Sequence, residues 1–184
     1  MTENSLTDVE VVVVGLFVEP GSNAPVVLLR DLDSGKYCMP IWIGEAEAAS
    51  IASAIRNVPM PRPMTHDLLV NTISAMGGEV QQVYIHSIIE NTFLARIDIV
   101  KGESIFSIDA RPSDGIALAV RTGAVVKVAR TVLEVAKVAT IAEDSSELTE
   151  DGKDDPTRAF ASVDKNQMED ILSDLDPKDF KYKM

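Results

Sequence analysis

The sequence predicts an α+β fold. Strand-like runs rich in β-branched residues are joined by turn-forming residues, and helical patterns are segregated from them. A unit of three strands followed by a helix occurs twice, which reads as a possible internal duplication in mostly antiparallel or mixed sheet.

The first unit opens at Val9 to Val18, a strand. Pro20-Gly21-Ser22-Asn23 turns the chain into a second strand, Val26 to Arg30. Asp31-Leu32-Asp33-Ser34-Gly35 returns it as a hairpin into Tyr37 to Ile43. Trp42 should point away from the face shared by Ile41 and Ile43. Glu45 to Arg56 carries Ala48, Ile51, Ala52 and Ile55 at helical spacing. Pro59-Met60-Pro61-Arg62-Pro63 is a stiff connector that helix interior does not tolerate. Thr65 is the expected N-cap of a helix reaching about Met76, with Met64 and Leu69 as a hydrophobic staple. Gly77-Gly78 ends it.

The second unit has strands over Glu79 to Ile89, Phe93 to Val100 and Glu103 to Ala110. Glu90-Asn91 and Lys101-Gly102 are their tight turns. Pro112 suits the first turn of a helix running through Ile116, Leu118 and Val120 to Thr122-Gly123. Val125 to Val128 reads as a short strand and Arg130 to Val138 as a short helix.

Charge divides the chain. Its 184 residues carry a net −12. Residues 1–140 form the expected domain. Residues 141–158, with Glu143-Asp144-Ser145-Ser146-Glu147 and Asp151-Gly152-Lys153-Asp154-Asp155, have almost nothing to bury and read as an acidic flexible linker. Residues 159–184 hold Met168, Ile171, Leu172 and Leu175 at helical spacing, an amphipathic helix that Pro177 stops.

Composition excludes several classes. No stretch approaches the roughly 18 apolar residues of a membrane span. The N-terminal Met1-Thr2-Glu3-Asn4-Ser5 lacks a secretory pattern. The single cysteine, Cys38, supports neither an internal disulfide nor a zinc cluster. A cytoplasmic protein that does not engage membranes is expected. The acidic balance also excludes nucleic-acid binding by bulk charge, which needs a basic footprint.

Polar residues gather in three segments, Pro40 to Ala48, Pro61 to Leu69 and Asp109 to Ala119. Each places carboxylates at a helix start. Glu45, Glu47, Asp67 and Asp114 there complement the helix dipole whether or not they do chemistry. Asp109, at a strand end, could instead pair with Arg111 or cap local backbone. Arg62 and Arg111 could each pair with a carboxylate or grip a phosphate beside a helix N-terminus. His66 could fix the connector by a hydrogen bond, act as a general base or ligate a metal. Phosphodiester hydrolysis asks for oxygen ligands on a hard cation and a cationic hold on phosphate.

The stretches Met39-Pro40-Ile41-Trp42-Ile43-Gly44, Arg62-Pro63-Met64-Thr65-His66-Asp67-Leu68 and Ile108-Asp109-Ala110-Arg111-Pro112-Ser113-Asp114 resemble the bifunctional nuclease family, over about residues 8 to 138. Leu175-Asp176-Pro177-Lys178-Asp179-Phe180 also looks like the ending of some bacterial members. The resemblance implies an α+β domain that forms homo-oligomers, dimers first among them, and a nuclease of low sequence specificity acting on DNA and RNA. On that reading His66, Asp67, Asp109 and Asp114 are the candidate catalytic residues. Asp67, Asp109 and Asp114 would bind magnesium or manganese, and Arg62 and Arg111 would bind substrate. The alternative is a non-catalytic interaction protein whose acidic tail and final helix bind a partner.

Overall fold

The computed structural model describes residues 8–20 and 22–139. The acidic segment and the amphipathic C-terminal pattern expected from the sequence lie outside the described residues. Among the latter, one mixed sheet is overlaid by four helices, in agreement with the α+β expectation.

The elements follow in chain order as β1 (Val9–Val18), β2 (Pro25–Asp31), β3 (Tyr37–Trp42), α1 (Glu45–Ile55), α2 (Thr65–Ala75), β4 (Glu79–Ile89), β5 (Thr92–Lys101), β6 (Ser104–Ala110), α3 (Pro112–Thr122), β7 (Val125–Val128), α4 (Arg130–Ala136) and β8 (Val138–Ala139). The sheet runs β6-β5-β4-β7-β1-β2-β3-β8. Two antiparallel meanders, β1-β2-β3 and β4-β5-β6, therefore flank β7, which pairs antiparallel with β1 and parallel with β4. Residues 137–139 correct the expected ending. The helix stops at Ala136, and Val138 and Ala139 pair with β3.

Strand alternation sorts the core. On the helix face, Val11 and Val13 of β1 align with Leu29, Met39, Val126, Val83 and Ile97 across the sheet, beneath Ile51 of α1, Ile116 and Leu118 of α3 and Leu133 of α4. Alternation turns Val14 to the opposite face, and the register shift in β1 between Val13 and Gly15 sends Phe17 there as well. There Val14 joins Val26, Leu28, Cys38 and Trp42 in a second buried cluster. Trp42 is thus placed away from Ile41 and Ile43, as alternation required. Burial drives the Cys38 thiol up to about 11, which keeps it protonated at neutral pH.

The polar half of that opposite face buries a carboxylate. Asp98 is 3% exposed and accepts from Gln82 Nε2 and Ser107 Oγ, both at 2.6 Å, and from Arg96 Nε at 3.1 Å. Burial alone would raise its pKa. These donors more than offset that and leave it lowered.

Turn chemistry sets the hairpins. Glu90 and Asn91 both adopt positive φ, 49° and 60°, as a two-residue type I′ turn requires. Asp31 folds its own turn by accepting from Asp33 N–H at 2.7 Å and Ser34 Oγ at 2.7 Å.

Helix α3 is the centre of the helical layer, with Pro112, Ser113 and Gly115 to Ala119 all buried. It packs so closely on β4 that a Cβ at Gly115 would lie 2.5 Å from Cγ1 of buried Val83. Gly115→Ala gains up to about 1 kcal/mol of helix propensity. Against that stands overpacking of about 1–3 kcal/mol. A net loss in the urea unfolding midpoint is expected. In the double variant with Val83→Ala, the added methyl should be tolerated. An unchanged or raised midpoint in the single variant would contradict this packing.

Helix α2 begins one residue earlier than expected. Met64 is the N-cap and Thr65 the first helical residue. Met64 offers no capping oxygen, so the junction is held from the other side. Its N–H donates to Asp67 Oδ2 at 2.9 Å. The shift also removes Met64 and Leu69 from staple positions, and both are exposed.

Candidate functional site

The three helix starts singled out by the sequence converge where α1, α2 and α3 meet. Helix α1 presents Glu47 and Ser50 one turn apart, α2 presents His66 and Asp67 in its first turn, and α3 presents Asp114 in its first turn and Arg121 two turns on. Arg111, the N-cap of α3, reaches over the top.

These seven side chains form one connected chain of polar contacts. Arg111 Nε donates to Asp114 Oδ2 at 2.8 Å, and its Nη2 donates to Glu47 Oε1. Asp114 Oδ1 lies 3.1 Å from His66 Nε2, and His66 Nδ1 lies 2.9 Å from Ser50 Oγ. Arg121 Nη2 donates to Ser50 Oγ at 3.1 Å, and its Nε donates to Asp67 Oδ1 at 2.6 Å. Arg121 also donates to the carbonyls of Ala117 and Ser50. Arg121 is the most enclosed of the charged members, with its side chain 10% exposed, and Arg111 the most open at 52%.

Electrostatics fixes the protonation pattern. The hydrogen bond to His66 and the pairing with Arg111 hold Asp114 down at about 2, outweighing the effect of burial. Asp67 is lowered by its bond to Arg121 and by the Met64 N–H. The Arg111 guanidinium is stabilised further by Asp114 and Glu47. An ionised carboxylate only accepts, so His66 Nε2 carries the hydrogen on that side. In the neutral ring Nδ1 is then the acceptor for the Ser50 hydroxyl. Three carboxylates against two guanidiniums leave one negative charge when His66 is neutral, so the network alone does not attract an anion.

The depressed Asp114 pKa predicts a pH dependence. A group with a folded pKa below its unfolded value stabilises the fold above the unfolded value, here 3.8. That stabilisation fades as pH falls from about 4 towards 2. After discounting for partial exposure it amounts to about 1–2 kcal/mol. Urea midpoints of the wild type and Asp114→Asn should therefore converge between pH 4 and 2. A constant gap across that window would contradict the assignment.

Of the residues expected from the sequence, His66, Asp67, Asp114 and Arg111 are brought together. Arg62 is exposed on the wall of an adjoining cleft of about 480 Å³, lined also by Asn57, Met60, Asp67 and Arg121. Asp109 is not part of the network. It aligns with Arg96 across β5, on the sheet face opposite the helices, because strand alternation gives that face Asp109 and the helix face Ile108 and Ala110. The trio Asp67, Asp109 and Asp114 thus does not form a ready cage for a divalent ion. Among the described residues no group of three or more His, Cys, Asp or Glu side chains is placed to hold one. Sequence reasoning missed Ser50 and Arg121, and gave Glu47 only its dipole role. A signal was present, since Asp114 and Arg121 lie seven residues apart on one face of a helix otherwise rich in apolar residues.

Fold and site together define an α+β domain whose helical layer closes over a mixed sheet and carries a histidine-centred polar site. The Bifunctional nuclease domain family matches residues 27–140, and the chain belongs to that family. It is 38% identical over 172 residues to an uncharacterized protein of Mycobacterium tuberculosis, covering 94% of this chain and 98% of that protein. It is 34% identical over 111 residues to Bifunctional nuclease 2 of Oryza sativa subsp. japonica, covering 59% of this chain and 34% of that protein. It is also 28% identical over 100 residues to Bifunctional nuclease 1 of Arabidopsis thaliana, covering 53% and 31%. The matches to these plant proteins thus span about a third of their length. Among the described residues, no helix is long and apolar enough to cross a membrane.

Proposed function

We propose that the chain hydrolyses phosphodiester bonds in DNA and RNA with low sequence specificity, at the site built on His66, Asp114 and Arg111. The observation that carries this reading is the placement of His66. Its two ring nitrogens are engaged from two other helices, in a defined tautomer, beside a half-exposed guanidinium. An imidazole so held can take and return a proton, and Arg111 can turn its open side to a phosphate. Arg62 adds a cation on the neighbouring cleft wall. With a net charge of −12, the chain must rely on such local cations to hold a polyanion. The family name and the plant relatives support the substrate class.

The test is incubation of the pure chain with single-stranded DNA and with RNA, in magnesium, in manganese and in chelator. Both polymers should be shortened, and Arg111→Ala should lower kcat/KM by at least about tenfold, the loss of one charge-assisted contact. Undiminished cleavage by a His66→Ala, Arg111→Ala double variant would contradict the proposal.

One observation favours a second reading. Every carboxylate in the network already has a cationic partner, as in a fastening that joins three helices for a non-catalytic interaction domain. That reading predicts no cleavage under any of the three conditions.

A further inference from the structure

We infer that Ser50 is a nucleophile, activated through His66 and Asp114, and that phosphodiester cleavage passes through a covalent phosphoserine. This rests on the proposed hydrolytic reading and deepens it by naming the attacking group.

Three observations point to it. The Ser50 hydroxyl lies 2.9 Å from His66 Nδ1, and His66 Nε2 lies 3.1 Å from Asp114 Oδ1. The order of groups is that of a serine–histidine–aspartate triad with the two ring nitrogens exchanged, and such sites are defined by geometry and role rather than by sequence order. The ionised Asp114 fixes the hydrogen on Nε2, which leaves Nδ1 free to draw the proton from Ser50. Arg121 Nη2 donates to the same oxygen at 3.1 Å, so a positive charge already faces the atom on which an alkoxide develops. A serine serving only to tie helices would need neither a base with its tautomer set nor a cation at its oxygen. Ser53, one turn along α1, shows the contrast, because its hydroxyl is occupied by the Ser50 carbonyl.

The chemistry balances with water as the only co-reactant. Ser50 Oγ forms a bond to phosphorus while the bond from phosphorus to the leaving oxygen breaks. The Ser50 proton passes to His66 Nδ1 and then to the leaving oxygen. Water next attacks the phosphoserine, loses a proton to His66 and displaces Ser50, which takes that proton back. Nothing is oxidised or reduced. Arg111, bonded to Asp114, holds that carboxylate against the imidazolium formed midway.

The test treats the full chain with a fluorophosphonate probe and reads intact mass and the labelled peptide. Formation of the adduct forms the Ser50 O–P bond and releases fluoride. One adduct is expected, on Ser50. It should be absent in Ser50→Ala and in the size-conserving Ser50→Cys, and at least about a hundredfold slower in His66→Ala, the loss of a general base. Ser53→Ala should label at the wild-type rate. No adduct on the wild type, an adduct that persists in Ser50→Ala, or unchanged labelling in His66→Ala would each overturn the inference. The nuclease assay separates the two ideas. Cleavage by Ser50→Ala at the wild-type rate removes Ser50 and leaves the His66 reading standing. Labelling of Ser50 in a chain that cleaves neither DNA nor RNA removes the nuclease reading and leaves the nucleophile.

Discussion

His66→Ala should cleave DNA and RNA about 10²–10⁴-fold more slowly than the wild type, the usual contribution of a positioned acid–base group. The fold should survive. Asp114 keeps both of its bonds to Arg111, and Ser50 keeps its bond from Arg121. The His66 side chain is 13% exposed, yet the space it vacates borders the polar network rather than the apolar core, so circular dichroism and the melting temperature should change little beside the rate. His66→Gln is the sharper variant. Its amide can still donate towards Asp114, but it cannot carry a proton, so its rate should fall with that of the alanine variant. Cleavage by either variant within about threefold of wild type would mean that the imidazole serves only to fasten α2.

Arg121→Ala should be among the most destabilising single changes in the helical layer, at about 2–4 kcal/mol. The guanidinium is nearly enclosed and joins three helices through Asp67 of α2, Ser50 of α1 and the Ala117 carbonyl of its own helix. Removing it leaves Asp67 without its cation and unfastens α3 from the Ser50 carbonyl and hydroxyl, although that carbonyl keeps the Ser53 hydroxyl as a donor. Hydrogen bonds to charged groups are worth about 1.5–3 kcal/mol each, and the 33% exposure of Asp67 moderates the loss by admitting water. Arg121→Lys keeps the charge but has no planar fork to reach all three helices, so it should recover less than half of the loss. Urea midpoints of the three proteins give the comparison. A loss below about 0.5 kcal/mol in Arg121→Ala would show that the helices are held by apolar packing alone.

The strands were the most legible part of the sequence. Valine-rich runs, glycine, asparagine and aspartate in the turns, and Pro112 at the start of α3 are local signals, and local chemistry decides them. Boundaries failed where a non-local partner decided. Val138 and Ala139 leave α4 because β3 offers an edge to pair with. The start of α2 was missed on a local contact instead, the reach of Asp67 back to the Met64 N–H.

The site was half legible. His66, Asp67, Arg111 and Asp114 sit in conspicuous motifs at helix starts. Ser50 lies in an alanine-rich helix and Arg121 in the last turn of another. Only the packing of α1 and α2 on α3 gives those two residues their partners. Asp109 misled for a different reason. It is five residues from Asp114, yet a strand sends it to one side of the sheet while the following helix keeps Asp114 on the other.

The most direct measurement uses the fact that the chain has two histidines, His66 and His86. Imidazole resonances of ¹⁵N-labelled protein would be followed as a slowly cleaved phosphorothioate oligonucleotide is added. His86 lies on β4, where it contacts Ser87 and Tyr84, and serves as the internal control. The account predicts that the His66 ring nitrogens shift on saturation while those of His86 stay in place. Saturable binding that moves His86, or neither ring, would place the nucleic acid away from the helical network and contradict the assignment of the site.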